Sequence, residues 1–391
     1  MRPLFITARG MVSALGQGDA ATLDALRERR SGLRPCDFGD VTHGYIGRVE
    51  GVEAHQLPAE LARFDCRNNR LAHLALQADD FAARVRDAIG RHGADRIAVV
   101  VGTSTSGVLS SEEAYAARDA STGALPASLD FAHTHDLFSL ARFVREALGL
   151  HGPAMTVSIA CASAARSFVD AHRLIASGVC DAAVVGGADS LCRLTLRGFA
   201  SLELISPGPT RPCDAERAGI SIGEAAGFAL LEREGMAVAL LGYGVSSDGY
   251  HMSSPHPDGA GAIAAMRDAL DRAGLPPDSV DYINLHGTGT KANDAMEDRA
   301  VHAVFGRNVP CSSTKSWTGH TLGAAGIIEA NLAALCIDNS LALGCLGLST
   351  LDPSFRARVL VNNVTVPARR VMSNSFGFGG ANCSLLLGLA P

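Results

Sequence analysis

Short apolar runs rich in β-branched residues alternate along the whole chain with longer segments of helical periodicity. The apolar runs, which predict strands, read LFITARGMV, RIAVVVGTS, AMTVSIA, CDAAVVGGA, GFALLER, AVALLGYGV, DYINLHG, VPCSST, RVLVNNVTV and NCSLLLGLA. Helices are predicted around residues 68–90, 138–148, 162–177, 260–273, 293–303 and 322–337. Short strands that are apolar throughout are typical of a sheet covered on both faces. The pattern therefore predicts the α/β class.

The passage from strand to helix follows a similar rhythm twice along the chain. A polar connector, LEREGMAVALL, marks a midpoint near residue 235. We therefore expect two α/β halves, residues 1–235 and 236–391, fused into one rigid body. Sequence identity between the halves is too weak to establish a repeat by itself.

Composition limits the function classes. The chain has 391 residues, of which 47% are hydrophobic and 19% charged, so it can bury a large core and is not expected to be disordered. A formal net charge of -6 argues against a general nucleic-acid binder, which needs a concentrated excess of Lys and Arg. No window approaches the roughly 18 consecutive apolar residues of a membrane span, and the N-terminus lacks signal-peptide features. We expect a cytoplasmic protein that binds neither nucleic acid nor membrane.

Ten scattered cysteines, none in a C-x2-C pair, predict reduced and mostly buried thiols rather than a structural zinc site. Neither a P-loop nor a GxGxxG turn after the first strand is present, so no nucleotide cofactor is expected.

Cys161 lies where a predicted strand meets a predicted helix, in SIACASAARSFVDAHRLIASG. The unpaired N–H groups and the dipole of a helix N-terminus favour thiolate over thiol. Small residues follow the cysteine and leave room for a ligand to approach. Composition alone favours the alternative, a buried structural cysteine.

Three later stretches favour a catalytic role for Cys161 over a structural one. They read NLHGTGTKANDAMED, which contains His286, CSSTKSWTGHTLGAAGIIEA, which contains Lys315 and His320, and SNSFGFGGANCSLLLG. Each histidine alone is more often structural than catalytic. Two histidines, a lysine and a candidate nucleophile, each ending a strand beside a glycine turn, indicate an active site.

The order and spacing of Cys161, His286, Lys315 and His320, with the closing NSFGFGGAN, resemble the elongating β-ketoacyl-[acyl-carrier-protein] synthases of the thiolase superfamily. GMVSALG and RPCDAERAGISIGEAAGFALLER extend the resemblance nearly end to end. It implies a dimeric enzyme with the thiolase fold, in which two pseudo-symmetric α/β halves form α-β-α-β-α layers. RNNRLAHLALQ and GTSTSG are more similar to the ketosynthases of aryl-polyene and similar specialised clusters than to housekeeping enzymes.

The resemblance also implies the reaction. An acyl group is transferred from an acyl carrier protein to Cys161 and is condensed with malonyl carrier protein, with loss of carbon dioxide and without a cofactor. His286 and His320 would stabilise the enolate, and Lys315 would pair with Glu329. The resemblance further implies that Phe378, with Phe376 nearby, forms the gate and that the Phe378 N–H contributes to the oxyanion hole for the acyl carbonyl. Thr288 and Thr290 would bind the pantetheine arm. Thr105 and Ile220 depart from the family pattern beside the acyl pocket.

Partners follow from the same resemblance. They are acyl- and malonyl-loaded carrier proteins and a second subunit, either an identical copy or a chain-length-factor-like homologue paired through the strand after residue 155. Carrier proteins are acidic, so a basic patch is expected at the entrance, with Arg67 and Arg70 as candidates.

Several related activities fit less well. A chain-length factor lacks the cysteine, a malonyl decarboxylase carries glutamine there, and the starter-condensing relatives use Cys-His-Asn. A degradative thiolase would use a second cysteine as base near the C-terminal glycine corner; Cys383 lies close to that corner but is expected to point into the core. A papain-like hydrolase would show its own cysteine signature. A non-elongating or structural ketosynthase subunit remains the alternative to an active condensing enzyme.

Overall fold

The computed structural model describes residues 1–236 and 238–390. The strands are β1 (Leu4–Ser13), β2 (Gly16–Gln17), β3 (Leu33–Pro35), β4 (Tyr45–Gly47), β5 (Ile97–Gly102), β6 (Ala154–Val157), β7 (Ala182–Asp189), β8 (Ile222–Gly223), β9 (Ala225–Glu232), β10 (Val238–Ser247), β11 (Tyr282–Asn284), β12 (Pro310–Ser312), β13 (Leu341–Ala342), β14 (Arg358–Val359), β15 (Val364–Thr365), β16 (Arg370–Phe376) and β17 (Ala381–Leu389).

The α-helices are α1 (Gly18–Arg27), α2 (Arg67–Gln77), α3 (Phe81–His92), α4 (Val108–Ala116), α5 (Ser139–Ala147), α6 (Ser163–Ala176), α7 (Arg193–Ser201), α8 (Ala260–Ala273), α9 (Lys291–Phe305), α10 (Lys315–Thr318) and α11 (Ala325–Asp338). Short 3₁₀ helices lie at Ala59–Phe64, Ala78–Asp80, Ala94–Arg96, Pro277–Ser279, Leu322–Ala324 and Phe378–Gly380.

Two sets of strands repeat one topology. In the first half the order is β1-β9-β7-β5-β6, and in the second it is β10-β17-β16-β11-β12, extended by β14. In each half the first two pairings are antiparallel and the next two are parallel. The halves join where β1 pairs with β10, at Leu4 opposite Leu240. The structure thus has the two pseudo-symmetric α/β halves expected from the sequence.

Helices α6 and α11 lie between the two halves and pack on each other. α2 and α5 cover the outer face of the first half, while α8 covers that of the second. α11 is buried along nearly its whole length, which explains why its sequence is apolar on every side rather than on one stripe. From one side of the protein to the other, helices and sheets alternate in the α-β-α-β-α order of the thiolase fold.

Two glycines permit the close contact around α6. A Cβ atom on Gly326 of α11 would lie 2.3 Å from the backbone nitrogen of Ala165. One on Gly102, at the end of β5, would lie 2.4 Å from that of Ala164. Backbone therefore packs directly on backbone next to the turn that contains Cys161.

Some sequence predictions were wrong in detail. The single helix predicted for 68–90 is two helices, because Asp79 and Asp80 have φ values of 51° and 58° and break the chain direction. RVLVNNVTV is not one strand but contributes two residues each to β14 and β15, which lie in different sheets. The halves proposed as residues 1–235 and 236–391 divide between β9 and β10, and this division remains an interpretation. Ala237 and Pro391 lie outside the described residues.

No helix within the described residues is long and apolar enough to cross a membrane.

Candidate active site

Cys161 lies in a tight turn between β6 and α6. Ala160, immediately before it, has a φ of 52°, in the left-handed region that non-glycine residues rarely adopt. The Ser163 hydroxyl fixes this turn, since it accepts the Ile159 N–H at 2.9 Å and donates to the carbonyl of Ala160 at 2.6 Å. Such a backbone persists where the surrounding structure imposes it, as at catalytic turns.

His286 and Lys315 follow two adjacent parallel strands, β11 and β12, at the same edge of the sheet. The carboxyl ends of parallel strands are where ligands bind in open α/β sheets. The backbone N–H groups of His286 and Gly287 each donate to one oxygen of the Glu297 carboxylate, both at 2.8 Å. Glu297, which the sequence analysis missed, therefore holds the His286 turn against α9.

His320 lies in the turn after α10. Its backbone N–H donates to the carbonyl of Ser221 at 2.7 Å, and its carbonyl accepts the Gly223 N–H at 2.9 Å. These bonds attach the His320 turn to β8.

The tertiary structure brings the four predicted polar groups together. His320 Nε2 lies 3.0 Å from Cys161 Sγ, and the ring centroids of His286 and His320 are 5.4 Å apart. The sulfur and one nitrogen of each ring all lie within 4.8 Å of one another. Lys315 Nζ is 3.4 Å from His286 Nδ1 and 2.5 Å from a carboxylate oxygen of Glu329.

Lys315 fixes the tautomer of His286. An ammonium group has donors and no acceptor, so the Nδ1 atom facing Lys315 Nζ must be the acceptor of the ring. The single proton of the neutral ring then lies on Nε2. The buried Lys315–Glu329 pair thereby directs one N–H of His286 away from the lysine.

Burial governs protonation in this site. It raises the pKa of the Cys161 thiol to about 11, while the Lys315 charge and the Phe378 N–H act in the opposite direction. Burial and the Lys315 charge also hold the pKa values of His286 and His320 well below their usual range. A neutral thiol between neutral imidazoles is therefore favoured at neutral pH. The expected preference for thiolate at a helix N-terminus is opposed by burial, because α6 begins only at Ser163 and desolvation is the largest effect on the Cys161 pKa.

A cavity of about 640 Å³ opens onto the sulfur. Of the predicted site residues, it is lined by Cys161, Ile220, His286, Thr288, Thr290, His320, Phe376 and Phe378. The hydroxyls of Thr288 and Thr290 lie 2.9 Å apart in its wall. Lys315 and Glu329 lie behind the histidines and are buried. A molecule that enters this cavity can reach the thiol.

Phe376 and Phe378, the two aromatic residues of the NSFGFGGAN segment, lie in different environments. Phe376 is buried, with its ring centroid 6.1 Å from that of His286. Phe378 is half-buried, and its ring lies 5.7 Å from that of Phe199, another residue lining the cavity. Gly379 and Gly380 follow it with φ values of 79° and 75°. A gating role for Phe378 stays a prediction.

Thr105 does not line this cavity. Its hydroxyl and its backbone N–H both donate to Asp189 Oδ1 at 2.9 Å, so the side chain is part of a buried polar cluster. Asp189, which ends the apolar run of β7 as the last residue of GGAD, was not among the residues predicted from the sequence. The signal available in the sequence was an aspartate at the end of an apolar strand.

Arg67 and Arg70 do not form a free basic patch. Arg67 is paired with Glu224 at 2.6 Å and Glu53 at 2.5 Å, and its side chain is only 8% exposed. Arg70 is paired with Asp65 at 2.5 Å. Their charges are already neutralised within the chain.

Family models match most of the chain. The model described as "Beta-ketoacyl synthase, N-terminal domain" matches residues 1–237, and that described as "Beta-ketoacyl synthase, C-terminal domain" matches residues 237–348. The chain belongs to the beta-ketoacyl synthase family.

Curated relatives of this family member are similar over different lengths. A 3-oxoacyl-[acyl-carrier-protein] synthase 2 of Synechocystis sp. is 32% identical, with 97% of this chain and 96% of the relative aligned. The mitochondrial 3-oxoacyl-[acyl-carrier-protein] synthase of Arabidopsis thaliana is 40% identical, but the alignment spans 61% of this chain and 57% of that relative. The match to a Rhizobium meliloti synthase 2, at 41% identity, likewise spans 61% of each chain.

Solved structures of ketosynthases share the fold of this family member. A ketosynthase (ApeO) in complex with its chain length factor (ApeC) from Xenorhabdus doucetiae is 41% identical, with a TM-score of 0.91 over 100% of this chain and 98% of that one. The ishigamide ketosynthase/chain length factor is 29% identical, with a TM-score of 0.88 over the full length of both chains.

Proposed function

We propose that this chain is a β-ketoacyl-[acyl-carrier-protein] synthase that condenses an acyl group held on Cys161 with malonyl carrier protein. The observation that carries the proposal is the placement of His320 Nε2 3.0 Å from Cys161 Sγ at a cavity large enough for a thioester. The similarity to 3-oxoacyl-[acyl-carrier-protein] synthases supports the reaction class and the carrier protein as partner.

In the first step the sulfur of Cys161 attacks the acyl thioester carbon and the carrier thiolate leaves. The proton of the Cys161 thiol passes to the carrier thiolate. The products are an acyl thioester on Cys161 and a free carrier thiol, so the step consumes no base. N–H groups of Cys161 and Phe378 would bind the carbonyl oxygen. The Phe378 N–H already faces the sulfur.

In the second step the malonyl carboxylate leaves as carbon dioxide and its electron pair forms an enolate. His286 would donate to the enolate oxygen through the Nε2–H that Lys315 fixes, and His320 would donate from the opposite side. The enolate carbon then attacks the acyl carbon, the bond to sulfur breaks, and Cys161 takes up a proton from water. Neutral imidazoles suit this step because each carries one N–H to donate without a counter-charge.

The test is intact-mass spectrometry of the purified protein with a panel of acyl carrier proteins, followed by addition of malonyl carrier protein. We expect an acyl mass on the protein, then its loss with formation of a β-ketoacyl carrier protein. An acyl-enzyme that never turns over with malonyl carrier protein would contradict the proposal.

A heterodimer is part of the proposal. Strand β6 ends the large sheet, and its Met155 is 40% exposed in the single chain, with Tyr115 and Phe131 exposed at 60% and 58%. Two similar solved structures are of a ketosynthase with a chain length factor. We expect this chain to need a cysteine-less homologue for full activity. Full activity of a homodimer purified without such a subunit would overturn that part.

We also assign the chain to specialised polyene-type synthesis in the cytoplasm. The GTSTSG and RNNRLAHLALQ stretches, which resemble the ketosynthases of aryl-polyene and similar specialised clusters, support the pathway. Ten unpaired thiols support a reducing compartment. The acyl masses recovered from the panel test the pathway, since saturated acyl groups alone would contradict it.

The alternative of a non-elongating subunit is disfavoured by the assembled site, because a structural subunit has no use for Cys161 and both histidines in contact. For the carrier protein, Lys291 replaces the paired arginines as the candidate contact. It is exposed, lines the cavity and forms no ion pair within the described residues.

A further inference from the structure

Asp189 joins two loops that border the catalytic cysteine. It ends β7, is fully buried, and has no cationic partner among the described residues. Its oxygens accept the backbone N–H groups of Ser104 and Thr105 at 2.8 and 2.9 Å, and that of Gly323 at 2.6 Å. The hydroxyls of Thr103, Ser104 and Thr105 also donate to it.

Backbone N–H groups can only donate, so both oxygens of the Asp189 side chain act as acceptors here. Three N–H donors from two segments distant in sequence meet on one side chain. The carboxylate is therefore a connector between the loop after β5 and the turn that follows His320.

Both connected segments contain backbone in the left-handed region. Leu322, between His320 and Gly323, has a φ of 51°, and Ser106 has a φ of 45°. Non-glycine residues hold such angles only where other contacts impose them. The Gly323 N–H bond to Asp189 is the contact directly after Leu322.

Space around Gly323 is also closed. A Cβ atom there would lie 2.8 Å from Asp189 Oδ2 and 2.9 Å from the backbone nitrogen of Ser104. Residue 323 must therefore be glycine for the turn after His320 to lie this close to the loop after β5. The Gly323 N–H that donates to Asp189 holds the turn there.

We propose that Asp189 is a positioning residue that sets the location of His320 relative to Cys161. The backbone N–H and carbonyl of His320 are attached to Ser221 and Gly223, and three residues further along Asp189 holds the same turn through the Gly323 N–H. This inference rests on the proposed condensing activity. It predicts that loss of the Asp189 carboxylate impairs the decarboxylative step, which needs His320, more than acylation of Cys161, which does not.

The test is Asp189→Asn in the full-length protein, together with any partner subunit that activity requires. The amide keeps the shape but turns one acceptor into a donor that faces N–H groups. We expect the condensation rate at saturating malonyl carrier protein to fall about 10- to 100-fold, as misplacement of a catalytic group by about 1 Å commonly produces. Acyl-enzyme formation on Cys161 should fall less than about threefold.

A matched control is Asp298→Asn. Asp298 is also buried and accepts the backbone N–H groups of Arg356 and Ala357, at 2.9 and 2.8 Å, but it does not line the cavity. Asp298→Asn should lower the melting temperature and leave both rates within about twofold of wild type below that temperature.

If Asp189→Asn does not fold, Gly323→Ala displaces the same turn and should give the same split between condensation and acylation.

Equal loss of both rates, or wild-type rates in a folded variant, would overturn the positioning role. A wild-type protein that does not condense would instead overturn the proposed function, so the two failures are distinguishable.

Discussion

The Nε2 atom of His320 lies 3.0 Å from the Sγ atom of Cys161, although 159 positions separate the two residues in the chain. The contact crosses the boundary between the two α/β halves, since the turn of Cys161 precedes α6 and the turn of His320 precedes α11. Because α6 and α11 pack on each other, the two turns at their N-terminal ends meet. The packing of the central helices thus assembles the site.

Replacing the nucleophile tests the assignment directly. Cys161→Ala should abolish the acyl adduct seen by intact-mass spectrometry, because the other nine cysteines are buried and none of them lines the cavity. Circular dichroism should show an unchanged fold, since alanine fits the space of the thiol. Full acylation of this variant would show that another residue is the nucleophile.

Replacing His320 should separate the two half-reactions. His320→Ala removes one donor to the enolate, which typically costs about 10²- to 10³-fold in rate. Acylation of Cys161 needs no net base and should fall less than about tenfold. Single-turnover acylation and steady-state condensation, measured on one preparation, give the two numbers. Equal losses would contradict a role confined to decarboxylation and condensation.

The reactivity of Cys161 should depend steeply on pH. A folded-state pKa of about 11 leaves the thiol protonated at neutral pH, so its thiolate fraction rises with pH. Alkylation by iodoacetamide should therefore increase about tenfold per pH unit between about pH 6 and about pH 9. Peptide mass spectrometry locates the adduct, and Cys161→Ala provides the blank.

Lys315→Met should make that alkylation slower at every pH, because the lysine charge opposes the effect of burial on the Cys161 pKa. A variant with faster alkylation, or a wild-type rate that levels off near neutral pH, would show that the thiolate is more stable than the geometry indicates. Circular dichroism is needed as a control, since removing one partner leaves Glu329 buried without its cation.

Two helical glycines should respond oppositely to alanine. Gly90→Ala in α3 meets no atom within 4 Å and should stabilise the fold by about 0.5–1 kcal/mol through helix propensity. Gly326→Ala in α11 gains the same propensity but places Cβ 2.3 Å from the Ala165 nitrogen. It should destabilise by about 1–3 kcal/mol. Urea unfolding of both variants measures the difference, and equal effects would refute the close contact between α6 and α11.

Local sequence patterns were enough to predict the α/β class and the family, and to single out Cys161, His286, Lys315 and His320 as candidate site residues, which the structure brings together. Strand periodicity and the chemistry of side chains at strand ends are local properties, and a shared order of motifs survives without coordinates. For the same reason, the helices predicted at 138–148, 162–177 and 260–273 agree with the bounds of α5, α6 and α8 to within one residue. The sequence erred where local signals conflict, as at Asp79 and Asp80, where a continuous helical pattern is interrupted by left-handed backbone.

The electrostatics of the site and the contacts that support it depend on tertiary packing. Whether Cys161 is ionised depends on how much water the packed halves exclude, and a sequence pattern does not specify that amount. Arg67 and Arg70 were expected to be free cations, but in the folded chain Arg67 pairs with Glu53 and Glu224, and Arg70 pairs with Asp65. Asp189 and Glu297 gain their importance from the N–H groups that converge on them from other segments. Contacts between segments far apart in sequence exist only once the chain has packed.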